Sequence, residues 1–409
     1  MHVVLFYHSL ISDWNHGNAH FLRGVVTELL ARGHQVEVYE PGSGWSLQNL
    51  MAEQGQEAQA NFHATFPHLH SRFYEPATLQ LDEVLADADL VIVHEWNEQR
   101  LIEAVGDHHR RHPHYRLLFH DTHHRSVSDS QTLAGYPLQA YDGVLAFGAT
   151  IRAQYLAHGW ATQVWVWHEA ADTTLFKPHP EIARDADLVW VGNWGDDERT
   201  EQLHEFLIAP AKALRLRSDI YGVRYPAEAL RALADAGIHY HGWLPNAQVP
   251  EVFARYRLTV HVPRRLYAEQ LPGIPTIRVF EALACGIPLI SAPWQDSEGL
   301  FSPGKDYLVA RNGAEMQQQM RLLCHEPAAA AELAQHGLAT VRARHTCAHR
   351  VDELLAICAE LGLDAQPATP QHAPDAPHEG HVNGQATLQP EPQQASVQAS
   401  VQKGHEERL

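Results

Sequence analysis

The feature that most constrains this chain is a strand–helix–strand rhythm that begins at the second residue and starts again near Ala186. His2 to Tyr7 is a short apolar run, and Leu22, Val25, Val26, Leu29 and Leu30 then recur at the spacing that buries one face of a helix. Gly33 ends that helix, and Gln35 to Tyr39 alternates apolar and polar residues. The three segments close as a βαβ unit, which requires parallel strands. DADLVIVHE and YRLLFHDT supply two more strands, whose C-terminal ends carry His94, Glu95, His120 and Asp121. In open α/β sheets that edge is where ligands bind.

The second series opens with DLVWVGNWG and continues through RSDIYGVRYP, IHYHGWLP, LTVHVPR and IPLISAPW, with helical stretches such as PAEALRALADAG between them. Two such series predict an α/β protein of two doubly wound domains, with HEAADTTLFKPHP as the hinge. A chain of 409 residues exceeds one ordinary core, which agrees. The predicted divisions are residues 1–170, residues 171–346, a helix over 347–365 able to cross back to the first domain, and a tail over 366–409. The tail is rich in Pro, Gln, Ala, Ser and His and poor in bulky apolar residues, so it is expected to be disordered.

Composition excludes several functions. A formal charge of −19 without a Lys/Arg cluster repels a nucleic-acid backbone, so no nucleic-acid partner is expected. The four cysteines form no CxxC pair, which argues against a zinc site and a disulfide framework and for a reducing, cytoplasmic setting. MHVVLFYHSL lacks a basic signal-peptide start and reads as the first strand. No apolar stretch approaches the ~20 residues that span a bilayer, which leaves only peripheral membrane contact open. Most of the 31 histidines are scattered and read as surface or packing residues.

Four segments carry candidate chemistry. The loop Ser12–Asn18 is long for a βα turn and holds Asp13, His16, Gly17 and Asn18, where Gly17 permits close backbone approach and Asn18 can cap the following helix. It is either a ligand loop or an ordinary turn. VHEWNE and FHDTHHR place His94, Glu95, His120 and Asp121 where they can hold sugar hydroxyls, gather a metal or simply be structural. The turn Gly192-Asn193-Trp194-Gly195, with Arg199 after it, offers backbone amides and a guanidinium to a phosphate, or Arg199 pairs with the acidic residues between. In LPGIPTIRVFEALACGIPLISAPW, Pro275 and Thr276 precede a helix buried through Ile277, Phe280, Leu283 and Ala284 and ended by Gly286. Thr276, Ile277 and Arg278 then stand where a diphosphate meets a helix N-terminus, and Glu281, one turn on, can accept both ribose hydroxyls or lie on the helix surface.

The run FEALACGIPLISAPW resembles the donor-site helix of GT-B glycosyltransferases, especially the CgeB-like, spore-maturation-type branch of the retaining group. The resemblance extends to about residue 360 through the GNW turn, AADTTLFKP, the HGN loop and the LVIVHE and LFHDTHHR strand ends. It implies two Rossmann-like domains facing across a cleft. The C-terminal domain would hold a nucleotide-sugar, UDP- or GDP-linked, through Gly192, Asn193, Arg199, Thr276, Ile277, Arg278 and Glu281. The N-terminal domain would hold a glycan, lipid-linked sugar, protein or small-molecule acceptor through Gly17, Asn18, His94 and Glu95. It also implies sugar transfer with neither cofactor nor metal, in which Arg199, Arg278 and helix amides stabilise the leaving diphosphate. His120 and Asp121 would hold the acceptor at the reaction centre; an inverting reaction would use Asp13, His16 or Asp121 as base, and a retaining one needs none. Many retaining relatives carry a second glutamate eight residues before the ribose one, where this chain has Gly273. A nucleotide-sugar epimerase and a catalytically silent glycan- or partner-binding protein are the alternatives. Removal of residues 366–409 should leave the melting temperature within a few degrees and donor binding unchanged; a larger fall in calorimetry would make the tail part of the fold.

Overall fold

A computed structural model of the chain describes residues 1–15, 17–195 and 199–364. The predicted tail and His16 lie outside the described residues. The strands are β1 (His2–Phe6), β2 (Gln35–Pro41), β3 (Ser71–Tyr74), β4 (Leu90–His94), β5 (Arg116–Asp121), β6 (Gly143–Ala146) and β7 (Val164–Val166), then β8 (Ala186–Val191), β9 (Ser218–Tyr221), β10 (Ile238–Tyr240), β11 (Tyr256–His261), β12 (Leu289–Ser291) and β13 (Leu308–Val309). The helices that matter below are α1 (Asn18–Ala31), α2 (Gln99–Arg111), α3 (Ala149–Ala157), α4 (Ile277–Ala284) and α5 (Cys347–Glu360).

Two separate sheets form, in the orders β3-β2-β1-β4-β5-β6-β7 and β10-β9-β8-β11-β12-β13. All pairings within them are parallel. Each series therefore winds outward on one side of its first strand and then reverses, which leaves a crevice at the reversal, between β1 and β4 and between β8 and β11. Central strands buried on both faces explain why Val3 to Phe6 and Leu90 to Val93 read as unbroken apolar runs. Edge strand β3 exposes Arg72 and Phe73, so its sequence gave little sign of it.

Local chemistry sets the ends of the two helices that face the crevices. Gly33, at φ 81°, closes α1, with its N–H on the Leu30 carbonyl at 3.0 Å and the His34 N–H on that of Leu29 at 3.1 Å. Gly286, at φ 64°, closes α4 in the same left-handed conformation. The expected buried face of α4, Ile277, Phe280, Leu283 and Ala284, is buried, and one apolar cluster runs from Leu5 and Phe21 through Trp167 and Phe176 to Phe280 and Leu283. The two sheets thus share a core beneath the hinge.

Helix α5 returns to the first sheet and lies on α1. Arg32, which caps the C-terminus of α1, pairs with Asp352 at 2.6 Å, and the Trp167 indole N–H donates to the Arg350 carbonyl at 2.8 Å. Among the described residues no helix is long and apolar enough to cross a membrane.

The α1–α5 contact is close at Gly24, where a Cβ would strike the Cys347 sulfur and stand 2.9 Å from the Asp172 Cβ. Gly24→Ala gains about 1 kcal/mol of helix propensity but overpacks this contact, at a cost of about 1–3 kcal/mol. A net loss of stability in urea, relieved in a Cys347→Ala background, is expected; a net gain would mean that the helices part easily.

Candidate functional site

The C-terminal ends of both sheets face one narrow cleft, lined by Asp13, Asn15, Gly192, Asn193, Gly222, Trp243, Leu244 and Arg278 among others. A broader depression runs from the end of edge strand β13 along the helix Gly313–His325, past Arg311 and Glu315, and shares no lining residue with this cleft.

Helix α4 brings the densest charge to the cleft. Glu281 is fully buried, and its carboxylate accepts from the Asn246 side-chain amide at 2.7 Å and from the Arg278 guanidinium. His20 of α1 sets Nδ1 3.1 Å from the same carboxylate, while its Nε2 accepts the Asp172 N–H at 2.7 Å. That acceptance places the His20 proton on Nδ1, facing Glu281. Burial alone would raise the Glu281 carboxyl; Arg278, with His20 and Asn246, outweighs it and holds the group down at about 2. Glu281 is therefore an ionised carboxylate inside the protein, not a surface helix residue.

The helix N-terminus is already engaged. Glu169 of the hinge is buried and accepts the Ile277 N–H. The Thr276 hydroxyl lies 3.2 Å from His261 Nε2 and does not cap the helix. Arg278 remains partly exposed, with one nitrogen on Glu281 and its side chain lining the cleft.

Around the turn after β8, the Asn193 side chain accepts the Val223 N–H at 2.9 Å and donates across the cleft to Asn15 at 2.5 Å. A Cβ at Gly222 would strike the Gly192 carbonyl, so only glycine lets the loops after β8 and β9 touch. Arg199 donates to the carbonyls of Trp194 at 3.0 Å, Val262 at 3.2 Å and Asn193. Its guanidinium braces the loops at the β8/β11 reversal, so any phosphate contact would come at the expense of these bonds.

On the N-terminal side, Asp13 accepts from Arg23 at 2.9 Å, from the Trp243 indole at 3.0 Å and from the Asn246 N–H at 3.0 Å. Three donors, two of them from the C-terminal domain, make it a clamp between domains. Asn18 does not cap α1, contrary to the reading from sequence: as the first helical residue it turns its amide to Thr122 and lies 3.4 Å from His94 Nε2. Gly17 abuts α4, since a Cβ there would lie 2.5 Å from Ile277 Cγ2.

His94, Glu95, His120 and Asp121 are brought together, and all are fully buried. His120 Nδ1 meets the Tyr7 hydroxyl at 2.6 Å, and burial pushes the imidazole down to about 3, so it is neutral. Asp121 accepts from Tyr155 at 2.8 Å and from the His123 N–H at 3.0 Å. Burial raises its carboxyl to about 6, and Glu95, buried beside it with Arg125 2.9 Å away, is raised well above the usual range. What this cluster presents outward is aromatic: Trp96 packs on His123 at 4.8 Å and His8 at 5.7 Å, with the Arg125 guanidinium over its ring at 4.8 Å.

Several of these residues had a sequence signal that was not read. Glu169 stands in the hinge motif, and Trp243 and Leu244 in IHYHGWLP. His20 and Glu298 had none, because their partners are distant in sequence. Gly273 has φ 90°, and the space a side chain would need there is filled by Ser297 Oγ at 2.6 Å and Glu298 at 3.0 Å. Glu298 accepts the first N–H of α3, from Ala149, at 2.8 Å and lies 3.0 Å from His168 Nε2.

Residues 199–356 match the family described as "Glycosyl transferase-like". Several solved structures share the fold. HepE of Anabaena in complex with UDP and glucose is 14% identical, with a TM-score of 0.63 over 88% of this chain and 100% of that one. Sucrose-phosphate synthase of Thermosynechococcus elongatus is 15% identical, with a TM-score of 0.59 over 88% and 99% of the two chains. An alpha-glucosyltransferase in complex with UDP and a DNA 13-mer is 11% identical, with a TM-score of 0.64 over 88% and 99%. No curated protein matches by sequence. The fold is GT-B, as the motif resemblance implied.

The Glu169 environment yields a pH signature. Burial, reinforced by the charge of Glu281, pushes its carboxyl up to about 8 against the pull of Arg278 and the Ile277 N–H. The fold then holds a proton that an unfolded glutamate releases near pH ~4.3, so its contribution is full below that pH and declines as pH rises to about 8. Glu169→Gln should remove the decline. Urea titrations should show the wild type losing up to ~1.4 kcal/mol per pH unit relative to the variant across this window, and parallel curves would mean that Glu169 ionises normally.

Proposed function

We infer that this chain, whose residues 199–356 match the glycosyl transferase-like family, is a GT-B glycosyltransferase that moves a sugar from a nucleotide-sugar donor to an acceptor. The observation that carries the site assignment is the Glu281–Arg278 pair at the start of α4, which puts an ionised acceptor of hydroxyl hydrogen bonds beside a cation that lines the cleft.

In this reading the donor enters along Gly192, Asn193, Trp243 and Leu244, with its ribose diol on Glu281 and its diphosphate on Arg278. A UDP-sugar is the preferred donor, supported by the UDP named with HepE and with the alpha-glucosyltransferase. The reaction needs no metal: Arg278 and the amides at the start of α4 stabilise the charge that develops on the departing diphosphate. Glu169 cedes the Ile277 N–H to that phosphate. Glu298 stands beside Gly273, where the missing glutamate of retaining relatives would project, and supplies the carboxylate nearest the sugar.

The acceptor lies over the Trp96–His123 face, whose rings suit the apolar face of a sugar. A glycan or glycosylated carrier fits this surface, and the charge of −19 disfavours a DNA acceptor. Of Asp13, His16 and Asp121, the candidate bases if the enzyme inverts, Asp121 is favoured by its place behind that face and a carboxyl at about 6. We place the chain in the CgeB-like branch and in the cytoplasm; four buried, unpaired cysteines suit a reducing compartment.

The cleft leaves a cavity of only about 20 Å³, far below what ligand sites occupy, so donor entry requires the domains to part. The contacts that must yield are Asn15–Asn193, His20–Glu281 and those of Asp13.

A panel of UDP-, GDP-, ADP- and dTDP-sugars in EDTA tests the reading: slow donor hydrolysis supports transfer, interconversion of sugars indicates an epimerase, and no binding a silent protein. Hydrogen bonds to a charged group are worth ~1.5–3 kcal/mol, so Glu281→Gln should weaken UDP roughly 10-fold or more. Because Glu281 is fully buried among its donors, the same substitution should also cost about 1–3 kcal/mol of stability. Arg278→Ala should weaken UDP comparably and uridine far less. Calorimetry that finds UDP binding unchanged in both variants would remove α4 from the donor site.

A further inference from the structure

We propose that Asp82, His108 and His112 form a transition-metal site, with Zn(II) as its natural occupant, on the face of the N-terminal domain away from the cleft. His108 stands in the last turn of α2 and His112, four residues on, is the residue that caps its C-terminus, so the two imidazoles come to one side of the helix end. Asp82 comes from the short helix Leu81–Val84 and faces them. One atom from each residue, His108 Nε2, His112 Nε2 and Asp82 Oδ1, converges: the aspartate oxygen is 3.2 Å from the first and 3.8 Å from the second, and all three lie within 4.8 Å of one another. Bonds of about 2.0–2.1 Å in a tetrahedral zinc site put ligand atoms ~3.3 Å apart. The Asp82–His108 distance meets this already. His112 needs to close by about 0.5 Å on Asp82 and by at most about 1.5 Å on His108, and both it and Asp82 are exposed.

The least mobile ligand is also the one that is oriented. His108 is buried, and its other nitrogen, Nδ1, lies 3.0 Å from the hydroxyl of the buried Tyr115. Donation of the Nδ1 proton to that oxygen leaves the Nε2 lone pair directed at Asp82, the arrangement that fixes the ring of a metal-bound histidine. Two imidazoles and a carboxylate suit Zn(II), and the fourth position faces solvent, where water completes the shell.

The site is remote from the proposed chemistry. The N-terminal end of α2 follows β4 at the cleft edge, and a rise of ~1.5 Å per residue carries His108 about 14 Å and His112 about 20 Å along the helix axis from Gln99. The metal would tie the segment before β4 to the end of α2 and stabilise the domain by mass action.

Full-length, EDTA-treated protein titrated with Co(II), followed by displacement with Zn(II), tests this, because tetrahedral Co(II) gives intense visible bands. The other histidines make the comparison with variants decisive. Asp82→Asn and His112→Asn alter exposed side chains and should melt like the wild type in EDTA. Each should lose one metal equivalent or at least ~10-fold in affinity, lose the tetrahedral bands, and lose the rise in melting temperature that Zn(II) gives the wild type. Wild type without tetrahedral bands, or bands that survive in either variant, would overturn the three-ligand site.

Discussion

The buried carboxylate of Glu281 is the interaction on which the rest of the molecule depends. An ionised group with no solvent contact is tolerated only when nearby donors replace its hydration. Three side chains do so here, and they come from three places: Arg278 on the same helix, Asn246 in the loop after β10, and His20 on α1 of the other domain. Satisfying one charge thereby fixes the approach of α4 to α1, the position of the loop that carries Trp243, and the tautomer of a histidine tied to the hinge. The apolar cluster beneath supplies most of the adhesion between the two sheets, but it is non-directional. The carboxylate gives it a register.

A second carboxylate makes that arrangement conditional. Glu169 sits at the start of the same helix, close enough for Glu281 to raise its pKa, and it keeps its proton into the neutral range. Two buried carboxylates with one guanidinium between them cannot both ionise cheaply, and the structure resolves the conflict by charging the one with more donors. On the proposed reading, a diphosphate at the α4 N-terminus competes with Glu169 for the Ile277 N–H and with Glu281 for Arg278. Donor binding and the protonation of the hinge are then linked, although they concern different domains.

The architecture was legible in the sequence because it rests on local periodicity. The βαβ opening, the second series from Ala186 and the helix between Thr276 and Gly286 all follow from apolar spacing and terminating glycines, and all are present. Strand β3 was not legible, since an edge strand with Arg72 and Phe73 exposed lacks the buried pattern. The candidate site was legible only in outline. Residue types at strand ends pointed to the cleft, but which of them would meet solvent was a tertiary matter: His94, Glu95, His120 and Asp121 lie behind the Trp96–His123 face. Arg199 and Asp13 carry charge of the right kind near the right place, yet their hydrogen bonds go to backbone and to each domain's loops. Glu298 fills a gap left by Gly273, a substitution across 25 residues of chain that no local pattern encodes.

That exchange bears on how the cleft is built. A side chain at position 273 would start from a left-handed backbone and collide with Ser297 and Glu298, so Gly273 and Glu298 are two halves of one solution. Glu298 also accepts the first N–H of α3, and through it the C-terminal domain grips a helix of the N-terminal domain at a point separate from Asp13. The domains are thus held at two points by carboxylates from opposite domains, each satisfied by donors across the gap, with Glu281 between them. Polar contacts of this kind are short-ranged and individually weak, and water or a ligand hydroxyl can replace any of them at small cost. A cleft closed by such contacts over a continuous apolar hinge can open without exposing its core, which is what a site too narrow for its proposed donor requires.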